Sequence, residues 1–183
     1  ETFFNSKIKG LQQNGHKVIL VTAATQQHYE GCVHRQHPKV YSNPLRQVVV
    51  MLLTYLSLLP YLKRMLRHIQ LEKKEGTALK RLLEKLYMNA TLIKLKTDWL
   101  HFGFATMAVE RELIAQAIGA KMAVSFRGYD IGVYPLKNPG CYDLLWRKLD
   151  QVHYISDDLY RKAQQLGLSA IIRHQKITPA IDT

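Results

Sequence analysis

Carboxylates are scarce in this sequence. Only 14 Asp and Glu stand against 26 Lys and Arg in 183 residues, a formal net charge of +12. The surplus is concentrated: from Lys63 to Lys96 ten Lys or Arg face Glu72, Glu75 and Glu84. A basic surface of that density predicts an anionic partner, whether nucleic acid, phospholipid headgroups or a phosphorylated acceptor. The alternative is a set of solvated helix faces with an incidental positive bias. Cysteine is nearly missing too. Cys32 and Cys141 are far apart, provide no disulfide framework, and fit a reducing compartment. There is no Asp-x-Asp, no Walker loop and no Gly-x-Gly-x-x-Gly, which argues against metal-dependent transfer, phosphoryl transfer and dinucleotide oxidation. No apolar run is long enough to span a bilayer. Gln47 to Leu62 is uncharged, but Pro60 interrupts it short of the roughly 20 residues a span needs. Internal repeats and low-complexity segments are absent as well.

What is present suits one domain over residues 1–183, with 47% hydrophobic residues and enough chain for a real core. The stretch from Asp98 to Ile131 organises it. Trp99-Leu100-His101-Phe102-Gly103 reads as a short buried strand. A single helix is expected from Ala105 to Ile118, with Met107, Ala108, Leu113, Ile114, Ala117 and Ile118 at helical spacing and Gly119 as its stop. Lys121 to Phe126 returns as a strand and runs into Arg127-Gly128-Tyr129-Asp130. Strand, helix and strand of this length make one βαβ crossover, and groups past the carboxyl ends of its strands face a ligand crevice. His101 and Arg127 are expected there.

A strand ending His101-Phe102-Gly103, a helix, and a strand ending Ser125-Phe126-Arg127-Gly128-Tyr129-Asp130-Ile131 resemble the amino-terminal domain of glycosyltransferase family 4, of GT-B architecture. Glu1-Thr2-Phe3-Phe4, Leu11 and Gly15-His16-Lys17-Val18 resemble that family's first helix and its entry into the second strand. Ile177-Thr178-Pro179-Ala180-Ile181-Asp182 resembles its exit toward a donor-binding domain. The resemblance covers nearly the whole chain in order, although residues 24–97 carry no motif of their own. It implies a fragment, with a preceding strand and a following second domain missing.

The rest of the chain alternates in the same manner. A helix capped by Thr2 and closed by Asn14-Gly15 precedes an apolar strand, Lys17 to Thr22, of the kind buried on both faces. Ala23 to Asn43 reads as loop, with a short strand near Val40. Its His28, Cys32, His34 and His37 invite a zinc site, but the paired Cys-x-x-Cys is missing and scattered loop residues are the preferred reading. Asn43-Pro44 opens a helix. Gln47 to Leu62 is expected to pack on the sheet, with Pro60 starting a second helix through Leu71. The competing reading lays it in a membrane interface beside Lys63, Arg64 and Arg67. Further helices are expected at Thr77–Met88 and Tyr142–Leu149, and from Asp157 or Asp158 to Gln165, with a short extension at Ile93–Leu95. Gly132 to Gly140, with Pro135 and Pro139, is expected to be loop. Gln151–Ser156 reads as strand; Ala170–Arg173 and Lys176–Ile177 are strand pieces. The fold class expected is α/β: a doubly wound, Rossmann-like parallel sheet flanked by helices, one half of a GT-B architecture.

The resemblance implies a retaining, metal-independent glycosyltransferase in polysaccharide biosynthesis. It uses a nucleotide-sugar donor as co-substrate and no other cofactor. Its acceptor is a glycan or lipid-linked intermediate. Cysteine usage and the apolar run beside Lys63, Arg64 and Arg67 set the expected location as cytoplasmic and membrane-associated, peripheral at the inner face of the membrane. Arg127 and His101 are the catalytic candidates. Arg127 stands where the family commonly has histidine: a forked, permanent cation suited to phosphate oxygens and a poor base. Glu1, Thr2, Phe102, Gly103, Gly128, Tyr129, Asp130 and Ser156 are the substrate-binding candidates; Asp130 is expected to orient Arg127 or bond the following loop, and Ser156 also reads as a plain helix cap. No metal site and no nucleic acid are expected, and residues 47–96 offer a peripheral contact to an anionic membrane. The rivals are a non-catalytic basic domain docking on anionic membranes or polyanions, and another nucleotide-using α/β enzyme such as an epimerase.

Overall fold

Strands separated by helical segments pair in parallel, because a crossover long enough to hold a helix brings the chain back in the same direction. The computed structural model of the chain describes residues 2–23, 25 and 31–177, with side chains described from residue 5. It is an α/β domain whose parallel sheets are flanked by helices, Rossmann-like and doubly wound. Helix α1 (Thr2–Gln13) leads into β1 (Ile19–Thr22), which pairs in parallel with β2 (Val33–Gln36), Ile19 opposite Val33. β2 lies inside the stretch expected to be loop; Val-His-Arg-Gln has no apolar alternation, and only pairing with β1 makes it a strand. β1 is less buried than its apolar sequence suggests, with Ile19 37% exposed, because among the described residues it has a neighbour on one side only.

Three helices follow. In α2 (Pro44–Leu56), Asn43 caps the start by accepting from the Arg46 amide at 3.0 Å. A 3-10 turn over Leu59–Tyr61 leads to α3 (Leu62–Lys74), and α4 (Leu79–Met88) comes next. The expectation that α2 packs into the core fails: it buries no residue, and Leu45, Leu52, Leu53 and Leu56 are 57–78% exposed. The helix rests on the domain by the other side, where the Tyr55 hydroxyl donates to the Leu83 carbonyl at 2.9 Å.

The short helix α5 (Ala90–Ile93) leads into β3 (Trp99–Phe102). The single helix expected from Ala105 to Ile118 is two, α6 (Ala105–Ala108) and α7 (Ile114–Ile118). Between them Val109 is extended and Glu110 takes φ +67°, a region a non-glycine residue enters only when held. Its neighbours hold it. The Glu110 carboxylate pairs with Arg81 at 2.9 Å and Lys85 at 3.2 Å, and its amide donates to Glu112 at 2.9 Å. Asn89 donates to its carbonyl at 3.1 Å. The expected stop at Gly119 is there, with φ +79°.

β4 (Lys121–Phe126) follows, then α8 (Gly128–Gly132), α9 (Tyr134–Lys137), α10 (Asp143–Lys148), β5 (Gln151–Tyr154), α11 (Asp157–Gln165) and β6 (Arg173–Lys176). One short helix, α9, thus interrupts the expected Gly132–Gly140 loop, since Pro135 sits in its first turn, where its missing N–H costs nothing, and residues 138–140 remain bend and turn. β3 to β6 form one parallel sheet in sequence order, with His101 opposite Ala123 and Ala123 opposite Gln151. One face carries Leu100, Phe102, Met122, Val124, Phe126, Val152 and Tyr154, all buried in the main core with Trp146 and Leu145.

Candidate functional site

The second face of this sheet is polar. Side chains alternate along a strand, so Leu-His-Phe in β3, Val-Ser-Phe in β4 and Val-His-Tyr in β5 put two apolar groups into the core and one polar group opposite. His101, Ser125 and His153 therefore share a face. Ala123 in the intervening strand is too small to separate the imidazoles, whose centroids are 5.0 Å apart, edge to face, across β4. Ser125 Oγ is 2.9 Å from His101 Nε2, and Gln151 Nε2 is 3.0 Å from His153 Nε2. From α1 the Lys7 amine reaches in, 3.2 Å from His101 Nε2 and 3.4 Å from Nδ1.

Burial and crowding of cations set the charges here. Burial pulls the Lys7 pKa down to about 8, with Arg127 adding to the effect. Burial, then Lys7 and His153, hold His101 down at about 3, and burial with Lys7 holds His153 at about 4. Both imidazoles are neutral at pH 7. The arrangement has one ammonium with two uncharged rings and a hydroxyl beside it, and the Arg127 guanidinium close enough to act on Lys7. It can offer hydrogen bonds and positive potential to an oxyanion; imidazoles held this low are weak bases.

His101 is not beyond the end of its strand, as expected from sequence, but third of four residues in β3, on the polar face. Arg127 does lie just past β4, with its guanidinium 5.2 Å above the Phe104 ring. Both flank Lys7. The other expected residues are less concentrated. Phe102 is 8% exposed and points into the core, away from His101, because adjacent strand residues face opposite ways. Asp130 is 1% exposed; its carboxylate accepts from the Arg127 amide and from the Thr106 amide and hydroxyl, each at 3.1 Å, which ties α6 to the end of β4. Asp130 thus bonds the Arg127 backbone, in keeping with the orienting role expected of it, with its carboxylate engaged inside the chain. Gly103 is half-buried, and Gly128 and Tyr129 are exposed at the mouth of α8. Ser156 caps α11 by accepting from the Leu159 amide at 3.4 Å. Glu1, His28 and the Thr178–Asp182 motif lie outside the described residues, as does the side chain of Thr2.

Lys7 and His153 were missed from the sequence. The repeated apolar-polar-aromatic triplet near the end of β3, β4 and β5 was the available signal for His153; nothing in the first helix marked Lys7. Among the described residues no three His, Cys, Asp or Glu come together as a metal site requires. A hollow of about 500 Å³ beside Trp146 and Gly167 shares no residue with the polar face and holds none of its chemistry. No family model and no curated protein matches this chain.

Proposed function

We propose that the chain is the acceptor-side half of a GT-B glycosyltransferase resembling family 4, retaining and metal-independent, moving a sugar from a nucleotide-sugar to a glycan or lipid-linked acceptor. One observation carries the reading: Lys7, His101 and Arg127 come together from the first helix, the His-Phe-Gly strand and the Arg-Gly-Tyr-Asp exit. These are three of the segments on which the resemblance rests, and they are far apart in sequence. In this reading Arg127 and Lys7 meet phosphate or phosphate-like oxygens, since both stay cationic near neutrality. His101, held neutral, hydrogen-bonds an acceptor hydroxyl and orients it; Tyr129 and Gly128 border the entrance. Contacts to the nucleotide would come mainly from a second domain, as in the family.

Two measurements test this. Titrating the ¹⁵N-labelled chain with pyrophosphate and with a panel of glycans should shift the resonances of Lys7, His101 and Arg127, and the Lys7→Gln variant should weaken the pyrophosphate response. Nucleotide-sugars offered to the chain alone should not be turned over. A titration that leaves all three residues unmoved, or sugar transfer by the isolated chain, would sink the reading.

A further inference from the structure

The most apolar helix of the chain faces outward. Along α2 the exposed residues Leu45, Val48, Val49, Leu52, Leu53 and Leu56 recur at three- and four-residue steps, so they form one stripe. Leu59, Leu62 and Leu66 carry it across the 3-10 turn and onto α3. The usual arrangement, apolar toward the core and polar toward water, is reversed. An exposed apolar surface of this extent on a folded domain marks something that covers it.

The surrounding charge says what. Residues 31–71 contain no Asp or Glu, while Arg35, Lys39, Arg46, Lys63, Arg64 and Arg67 fall within them. Lys63 and Arg67 sit one position beyond Leu62 and Leu66, hence on the adjoining row of α3. Both are exposed, and among the described residues neither is in a salt bridge. The nearest acids are occupied: Glu72 is buried against Lys85, Glu75 pairs with Arg147 and Lys148, and Glu84 pairs with Arg81. We infer that the α2–α3 surface docks on an anionic lipid bilayer, with the leucine stripe among the acyl-chain boundary and Lys63 and Arg67 at the headgroups.

Two other arrangements fit the observations less well. A second copy laid face to face across a two-fold axis would bring the same uncompensated cations together, which opposes that dimer. A membrane span is opposed by anchoring. α2 and the helical run after it are bent by 49° at their break. α3 is also part of the domain: His68 and Glu72 are wholly buried, and Arg64 donates to the carbonyls of Ile93 and Leu95. Leaving the domain to cross the bilayer would expose those groups to lipid. The helices lie on the surface instead. This inference does not depend on sugar transfer and stands or fails separately from it.

Vesicle sedimentation tests it directly. The chain should pellet with phosphatidylcholine vesicles containing 30% phosphatidylglycerol and pellet far less with pure phosphatidylcholine, and the anionic binding should weaken as NaCl rises. Lys63→Gln/Arg67→Gln should flatten the salt dependence. Leu52→Gln/Leu56→Gln should lower partitioning by about tenfold or more, since two exposed side chains no longer leave water. All four positions are exposed, so unchanged circular dichroism and melting are expected. A chain that ignores anionic vesicles overturns the inference. So does full binding by the leucine variant, which would mean charge alone, or a concentration-dependent dimer that the leucine variant abolishes.

Discussion

Helices α2 and α3 are consecutive, each has 13 residues, and they treat their side chains in opposite ways. α2 has no charged residue after Arg46 and buries nothing. α3 carries Lys63, Arg64, Arg67, Glu72, Lys73 and Lys74, and the two residues it buries are His68 and Glu72. Composition alone would have exchanged the two. Burial instead follows where each helix axis runs: α3 lies against α7, and α2 rests at the margin, on α4. A charge dragged inside in this way must find a partner. Glu72 finds Lys85 at 2.8 Å and the Thr77 hydroxyl at 2.7 Å, and the Lys85 amine also reaches Glu110. The same small network holds Glu110 in its left-handed conformation and so breaks the helix between β3 and β4. One buried carboxylate therefore shapes the crossover that carries the sheet's polar residues.

Removing the lysine from this network should have the largest effect. Lys85→Met leaves the Glu72 carboxylate buried with a single hydroxyl, and the expected loss is about 3–5 kcal/mol of unfolding free energy in urea. Adding Glu72→Leu removes the orphaned charge and should recover much of that. The double variant separates a need for charge from a need for volume. A loss under about 1 kcal/mol for Lys85→Met would mean that α3 is as loosely held as α2, and the contrast would disappear.

Acid should act on the same side of the comparison. His68 is drawn down to about 4, chiefly by burial, with Glu72 opposing and Lys85 assisting; His101 and His153 sit at about 3 and about 4. In each case the unfolded chain binds the proton more readily than the folded one. The stability they contribute is complete above about pH 6.5, the ordinary histidine value, and is lost as pH falls toward their folded values. Between pH 6 and 4.5 the urea midpoint should therefore drop, with each histidine adding up to roughly 1.4 kcal/mol per pH unit to the slope. His153→Gln should reduce that slope. Amide protection should fall first in α3 and around the polar face, while α2, which has no histidine or carboxylate, shows no acid-specific change. An unaltered slope in His153→Gln would place that ring in water.

Much of the fold was legible because local and long-range signals agreed. Asn43-Pro44, Gly119 and the strands at residues 99–102, 121–126 and 151–154 follow from capping, glycine and apolar runs. β2 and β6 were missed or split because Val-His-Arg-Gln and Arg-His-Gln-Lys become strands through their neighbours, with no pattern of their own. The break at Glu110 was invisible for a related reason: Arg81, Lys85 and Asn89, which hold it, lie 20 to 30 residues upstream. At the candidate site His101 and Arg127 stood out as unusual residues at strand ends. Their proximity to Lys7 depends on where the tertiary fold sets α1, which no spacing in the sequence encodes. Phe102 turns away from His101 because a motif records neighbours along the chain, and strand alternation sends those neighbours to opposite faces; Asp130, in α8, is instead engaged by the Arg127 amide and Thr106.

The smallest expected effect sharpens the contrast from the other side. Leu52 is 57% exposed in the folded chain, so Leu52→Gln gives up little burial and creates no cavity. Its unfolding free energy should stay within about 0.5 kcal/mol of the parent, although Leu58, six residues on, is wholly buried. A leucine that costs nothing to remove from the folded domain serves something outside it, and Leu52→Gln should accordingly lower binding to anionic vesicles while its melting and circular dichroism match the parent's. If instead Leu52→Gln proves as costly as a core truncation, the outer face of α2 is covered within the domain itself, and the difference between the two helices is one of sequence only.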